Sequence, residues 1–314
     1  MLDFRMDTFL AVCQFMNYTR AAEALNLTQP AVSQHIRWLE AQYGVPLFTY
    51  ANKRLTLTSQ GEQLRSAATT MKHDVLSLQR RLHEPGPGVH RLRLGATPTA
   101  GTYLLPQALA RYHETYPLAP ISLRISNTQT LCAALDAGEL DAALVEGFFC
   151  KSDYDSLLFR REPYLAVCSA QYPFARPPRV LADLLSEPLV IREKGSGNRE
   201  IVRRALSRQN LAVEDFPCLI EVNDMHVLKQ VLLRSCGVGF LYQAAAQDQL
   251  DQGLLREIPL EDFHESHDIT FLWRRGSVFS PHYHQLFHFL LPSYQPPESP
   301  KGESFHGTSS LPSR

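Results

Sequence analysis

Residues 19–40 read TRAAEALNLTQPAVSQHIRWLE, and this stretch decides how the first part of the chain folds. Ala21, Ala22 and Leu25 form the apolar side of one short helical segment, with Thr19 placed to cap it. Asn26 suits the turn that follows, because asparagine tolerates the left-handed backbone. Thr28 then stands as N-cap of a second helix whose first turn holds Pro30, where a missing N–H leaves no bond unmade. Val32, Ile36 and Leu39 make an apolar stripe on it, while Gln29, Ser33 and Arg37 recur every four residues on another face beside Pro30 and Gln34. Two helices joined by a short turn, the second opening on a polar, amide-rich face, are a helix-turn-helix.

Upstream, Phe9, Val12, Cys13 and Met16 have helical spacing. Downstream, the second helix ends at Tyr43-Gly44, and Lys53-Arg54 leads into the alternating Leu55, Thr56, Leu57, Thr58, the pattern of a β-wing with positive charge at its tip. The winged helix-turn-helix is therefore assigned to residues 1–58, with the helix-turn-helix at about 18–37. In this arrangement the second helix enters the major groove by its N-terminal residues, headed by Thr28. Gln29 and Gln34 can each form bidentate contacts with an adenine edge, Ser33 can donate or accept, and Pro30 or Ala31 can pack on a thymine methyl. Arg37, Lys53 and Arg54 suit phosphates.

Ser59-Gln60-Gly61-Glu62 reads as a capping box opening a long helix over 59–84. Leu64, Ala68, Met71, Val75, Leu78 and Leu82 follow at spacings of 4, 3, 4, 3 and 4, the a/d seam of a dimerising coiled coil. The Pro/Gly run at 85–90 ends it as a hinge.

Beyond the hinge, strand-like and helix-like segments alternate: Leu92–Ala96, a helix to Tyr116, Ile121–Ser126, a helix at Leu131–Ala137, then Asp141–Val145. After strands near Leu157–Phe159 and Leu165–Val167, the theme repeats from Pro188 to Tyr242. Such βαβ order implies parallel sheet, and two similar α/β lobes fit better than one large sheet. Lobe I is placed at about 91–162 and 268–292, and lobe II at about 163–267. The Ser/Gly/Pro-rich residues 293–314 read as a disordered tail.

The whole chain of 314 residues is 44% hydrophobic, with a net charge of −1, so bulk charge names no partner. Residues 1–90 nevertheless carry +2 and the remainder −3, which puts the excess positive charge with the helix-turn-helix. No apolar run reaches the length of a membrane helix and no secretory leader is visible, which reads as cytoplasmic. The cysteines, at 13, 132, 150, 168, 218 and 236, form no C-x-x-C pair.

Together with Phe9-Leu-Ala-Val12, Gly44-Val-Pro-Leu-Phe48 and Leu57-Thr-Ser-Gln-Gly61, the opening stretch resembles the LysR-type transcriptional regulators. The resemblance implies an α/β protein with a winged helix-turn-helix, a linker helix and a two-lobed, periplasmic-binding-protein-like effector domain. It implies a homo-oligomer, a dimer and then a tetramer, whose contacts with dyad half-sites of double-stranded DNA are shifted by a small molecule, and whose further partner is RNA polymerase. Gln34 and Tyr50 stand where relatives usually carry arginine, which removes a guanine-reading fork and a phosphate contact.

For the effector, the lobe crevice beyond the carboxyl ends of the strands is the expected site. Thr97 and Thr99 follow the first strand, Thr128 and Gln129 the second, and Arg192, Ser196, Gly197 and Asn198 occupy the equivalent place in lobe II. Hydroxyls and N–H groups at helix starts favour a small anion. Glu146, Phe148 and Asn223 are added from strand ends. No nucleotide fingerprint, nucleophile elbow or metal set appears, so neither enzyme activity nor a cofactor is expected; His284 and His288 lack an acidic or cysteine partner at fixed spacing. Two alternatives stand beside the anion reading: a thiol-based redox sensor using Cys218 and Cys236, and a solute-binding module without a DNA role, which leaves residues 1–82 unexplained.

Overall fold

The structure, a computed structural model, describes residues 3–51, 54–83 and 91–291. Lys53, Glu84, the hinge at 85–90 and the tail at 293–314 lie outside the described residues. The chain opens with α1 (Phe4–Phe15), α2 (Tyr18–Ala24) and α3 (Gln29–Tyr43). Asn17 rather than Thr19 caps α2, its Oδ1 accepting from the Arg20 N–H at 3.0 Å, because the helix begins at Tyr18 and takes Thr19 inside. Asn26 takes the left-handed conformation at φ 54°, Thr28 caps α3, and Gly44 at φ 69° ends it. Phe9, Val12, Ala21, Val32, Ile36, Leu39 and Leu47 close the core between these helices.

The wing is a hairpin of β1 (Phe48–Ala51) and β2 (Arg54–Leu57), paired with Phe48 opposite Leu57. Glu40 Oε1 accepts from the Leu47 N–H at 2.8 Å, which ties the wing to α3. The linker helix α4 (Ser59–Leu82) corrects the expected capping box. Thr58 is the cap, accepting from the Gly61 N–H at 2.9 Å and donating to the Pro46 carbonyl at 2.7 Å, while Glu62 pairs with Arg65. The tie to Pro46 holds Thr58 extended, so the helix begins at Ser59.

The seam on α4 divides. Leu64 and Ala68 pack into the core of the DNA-binding domain, Val75 is half-buried, and Met71, Leu78 and Leu82 face outward, Leu82 with 74% of its surface exposed. Another face, with Thr70, His73 and Ser77, is buried against the remainder of the chain.

That remainder begins with β3 (Leu92–Ala96), a π turn at Ala100–Leu104, α5 (Pro106–Thr115), β4 (Ile121–Ile125), α6 (Thr128–Asp136) and β5 (Ala142–Glu146). It continues with β6 (Tyr154–Ser169), β7 (Leu189–Arg192), α7 (Gly197–Ser207), β8 (Leu219–Val222), α8 (Met225–Leu233), β9 (Val238–Tyr242) and α9 (Gln243–Asp251). It ends with β10 (Leu255–Glu257), β11 (Glu265–Arg274) and α10 (Ser280–Leu290).

The strands form one nine-stranded sheet in the order β4-β3-β5-β11-β6-β9-β7-β8, with β10 alongside β6. This corrects the expectation of two separate sheets: the strands foreseen near 157–159 and 165–167 are parts of the single 16-residue β6. One end of β6 pairs antiparallel with β11 in lobe I and the other with β9 in lobe II. Two cores nonetheless form, one around Leu94, Leu144, Phe271 and Phe287 and one around Leu189, Leu206, Phe240 and Ile258. No helix of the described residues is long and apolar enough to cross a membrane.

Lobe I holds the linker helix through buried polar groups. The fully buried Arg274 donates to Asp136 Oδ1 at 2.8 Å, to the Ser66 carbonyl at 3.2 Å and to Thr70 Oγ1 at 3.3 Å. Thr70 in turn donates to the Arg275 carbonyl at 3.0 Å, and Asp74 accepts from Ser277 Oγ at 2.6 Å and from the Val278 N–H at 2.9 Å.

Arg274→Met strips these bonds and leaves Asp136, the Ser66 carbonyl and Thr70 short of a partner; it is expected to lower unfolding free energy by about 3 kcal/mol in urea titrations. At Gly61 an added Cβ would clash with the Leu47 carbonyl oxygen. Gly61→Ala is therefore expected to lose about 2 kcal/mol by the same measurement, because backbone must shift to admit it.

Candidate functional site

The face expected to meet DNA is the N-terminal half of α3. Thr28, Gln29, Pro30, Gln34 and Arg37 are exposed there, Ala31 and Ser33 are half-buried, and Arg54 is exposed on the wing. Val32, Ile36 and Leu39 on the opposite side are buried, so the apolar stripe sets which face turns to solvent. Tyr50, 74% exposed, projects from the first strand of the wing.

Between the lobes lies a cleft of about 1260 Å³. Thr97, Thr128, Gln129, Glu146, Arg192, Ser196, Gly197 and Asn198 line it, as does Phe148. Thr99 and Asn223 do not: Thr99 sits beneath the floor and donates to Glu146 Oε1 at 3.2 Å, and Asn223 offers its carbonyl to Arg192 at 3.1 Å. Thr99 is buried behind the cleft surface, where it orients Glu146, whereas Asn223 is exposed outside the cleft and meets Arg192 through its carbonyl.

The helix starts behave differently from one another. Asn127 caps α6 through the Thr130 N–H at 2.8 Å, which frees Thr128 to donate to the Glu146 carbonyl at 2.6 Å and clamp α6 to β5. Ser196 occupies the cap position of α7 without making a cap bond. Gly195, at φ 92°, allows the tight turn that brings this helix start to the cleft.

The cations of lobe II are mostly engaged. Arg192 forks onto both oxygens of Glu193 at 2.8 and 3.1 Å, Arg199 pairs with Glu221, and Arg203 and Arg204 share Glu200. Lys194 also lines the cleft and forms no ion pair among the described residues. Across the mouth, the Arg204 guanidinium stands 4.1 Å from the ring centre of Phe148, a cation–π contact from one lobe to the other.

The floor carries buried polar atoms with no hydrogen-bond partner: Thr97 Oγ1, Glu146 Oε2, Asn198 Oδ1, Tyr242 Oη and His267 Nε2. Native interiors satisfy most such atoms, so five of them in residues lining one cleft set it apart, although His267 Nε2 also lies 3.7 Å from Glu265 Oε2. Burial pushes the Glu146 carboxyl up to about 8, opposed by the Thr99 hydrogen bond and by Arg192. Burial likewise pushes the His267 imidazole below its ordinary value and Tyr242 above its own.

Tyr242, His267, Ser156 and Thr270 also line the cleft and are not among the residues expected from the sequence. Tyr242 ends β9 as Glu146 ends β5, so the strand-end rule that selected Glu146 and Asn223 extends to it. His267 and Thr270 sit within β11 and carry no local signal.

No cysteine is among the residues lining the cleft. Cys218 and Cys236 are free and exposed, and they precede β8 and β9 at the end of the lobe II sheet remote from Arg192. His284 stacks edge-on against Trp273, with ring centres 5.2 Å apart, and no group able to hold a metal ion occurs among the described residues.

Residues 5–62 match the family model described as "Bacterial regulatory helix-turn-helix protein, lysR family", and residues 86–295 match "LysR substrate binding domain". The chain is 31% identical over 240 residues to the HTH-type transcriptional activator CmpR of Synechocystis sp., covering 76% of this chain and 77% of that one. It is 29% identical over 254 residues to the HTH-type transcriptional regulator YeiE of Escherichia coli, covering 81% and 85%. In fold it is similar to full-length LysG of Corynebacterium glutamicum with bound effector Arg, at a TM-score of 0.61 and 16% identity, covering 92% of this chain and 98% of that one. The chain belongs to the LysR family, and is a DNA-binding transcriptional regulator whose helix-turn-helix is joined by a linker helix to a two-lobed effector-binding domain.

Proposed function

We propose that the chain regulates transcription by binding a small anion in the cleft between its lobes, and that α3 reads the operator. The observation that carries the effector reading is the cleft itself, where two helix N-termini and a floor of unpaired polar atoms converge. Thr97 and Tyr242 can donate from hydroxyls, and Lys194 adds a positive charge. The function is non-catalytic: ligand binding shifts the population of lobe arrangements, and the linker helix docked on lobe I relays the shift to the DNA-binding domain.

A second copy of the chain completes the molecule, with the outward Met71, Leu78 and Leu82 of α4 pairing with the same residues of the partner. Redox sensing through Cys218 and Cys236 is the second reading, and their place remote from the cleft separates it from ligand binding.

The effector reading is tested by melting the full chain against sulfate, phosphate and small carboxylates. A ligand at a hundred times its Kd adds about 2.7 kcal/mol, and Thr97→Ala is expected to reduce the shift. No shift with any anion would sink the reading. For DNA, duplexes selected from a random pool supply the target. Gln29→Ala and Gln34→Ala are each expected to cost about 1–3 kcal/mol of discrimination at one base pair, whereas Arg54→Ala should weaken all sequences alike and reduce the salt slope by about 1.

A further inference from the structure

Glu146 presents an unusual group to the cleft. It is 94% buried, lying at 6% exposure on the floor, with Oε1 accepting from Thr99 and Oε2 without a partner. A buried carboxylate ordinarily faces a cation that engages it. Arg192 is the nearest candidate, yet its guanidinium donates to Glu193 and to the Asn223 carbonyl. Glu162 on β6 and the phenols of Tyr164 on β6 and Tyr242 on β9 also act on Glu146, and the cleft is further lined by His267, Glu265 and Asp268 of β11 and by the cations Lys151, Lys194 and Arg199. Glu162 disfavours a second negative charge, and burial pushes the His267 imidazole below its ordinary value against the opposing charge of Glu265.

We infer that Glu146 meets the effector as a protonated carboxyl, donating from its unpaired oxygen to an anionic oxygen of the ligand, so that the cleft selects oxyanions, carboxylates or phosphates, taken up with one proton held on the protein. The inference rests on the anion reading of the cleft and deepens it. A neutral donor suits this floor because the other unpaired groups there, Thr97 Oγ1 and Tyr242 Oη, can also turn their protons inward. An oxyanion then finds converging donors without a second carboxylate opposing it, and the elevation of the Glu146 carboxyl to about 8 keeps that proton in place at neutral pH.

Two measurements on the full chain test this. The first needs no ligand: the melting temperature of the wild type is compared with that of Glu146→Gln, which keeps the shape and the Thr99 bond. The folded-state value of Glu146 lies above its unfolded value, so the wild type is expected to lose stability relative to the variant as pH rises from about 4.5 to about 8, and to lose no more above that. A flat difference across that range overturns the inference.

The second uses sulfate and acetate, neither of which changes charge between about pH 6.5 and 9, with methylammonium as the opposite-charge probe. Affinity for the bound anion is expected to fall about tenfold between pH 7 and 9 in the wild type and to stay level in Glu146→Gln, whose amide still donates. A pH-independent anion affinity in the wild type overturns the role of Glu146 while leaving the anion cleft intact. Stabilisation by methylammonium that grows with pH assigns Glu146 to an amine instead, and binding of neither anion overturns the anion reading together with this inference.

Discussion

The antiparallel pairing of β6 with β11 is the constraint on which the effector domain depends. The chain passes between the lobes on both strands, and their ladder runs from Glu265 opposite Tyr164 to Arg274 opposite Tyr154. Each strand must satisfy its backbone hydrogen bonds along its length while its ends join different cores. The cores therefore cannot merge, and a crevice is left where the carboxyl ends of β3, β5 and β7 face one another. A register shift between Ile269 and Thr270 lies under this crevice, and Thr270, Asp268 and Leu158 line it from the two crossing strands.

The same strand β11 serves the other face of lobe I. Its last residue, Arg274, is the buried group that holds α4, and its partner Asp136 ends the helix whose first turn lines the cleft. Helix α6 and strand β5 thus each have one end at the cleft and the other under the linker helix, since His73 of α4 bonds the Leu140 carbonyl just before β5. A change in lobe I at the cleft and a change at the linker are two ends of the same rigid elements.

Much of this was legible in the residues themselves. The helix-turn-helix follows from Asn26, Thr28, Pro30 and the Val32, Ile36, Leu39 stripe, because caps, left-handed turns and periodicity are settled within about four residues. Where two capping residues competed nearby, Asn17 over Thr19 and Thr58 over Ser59, the outcome depended on where the chain entered the helix, and for Thr58 on a bond to Pro46 twelve residues away. The strand-end rule brought Thr97, Thr128, Glu146 and Ser196 to the cleft but also selected Asn223, whose side chain does not reach it. The heptad spacing assigns the whole α4 seam to a partner helix, yet Leu64 and Ala68 serve the chain's own core, since a heptad pattern does not say which apolar surface meets it.

By itself, the sequence determined the order of elements, the exposed polar face of α3, the linker helix and the family of the chain, all of which rest on short-range stereochemistry and spacing. Only the tertiary structure decided that the lobes share one sheet, because strand pairing between β6, β9 and β11 joins residues as far apart as Tyr154 and Arg274, 120 positions along the chain. It alone also decided the chemistry of the cleft. Position along the chain marks Thr97, Glu146 and Asn198 as near the cleft and says nothing of Tyr242, but in all four a polar atom is left buried and unpaired only when folding removes water from it and supplies no hydrogen-bond partner. The state of the Glu146 proton is a property of that desolvation, which no local pattern of residues encodes.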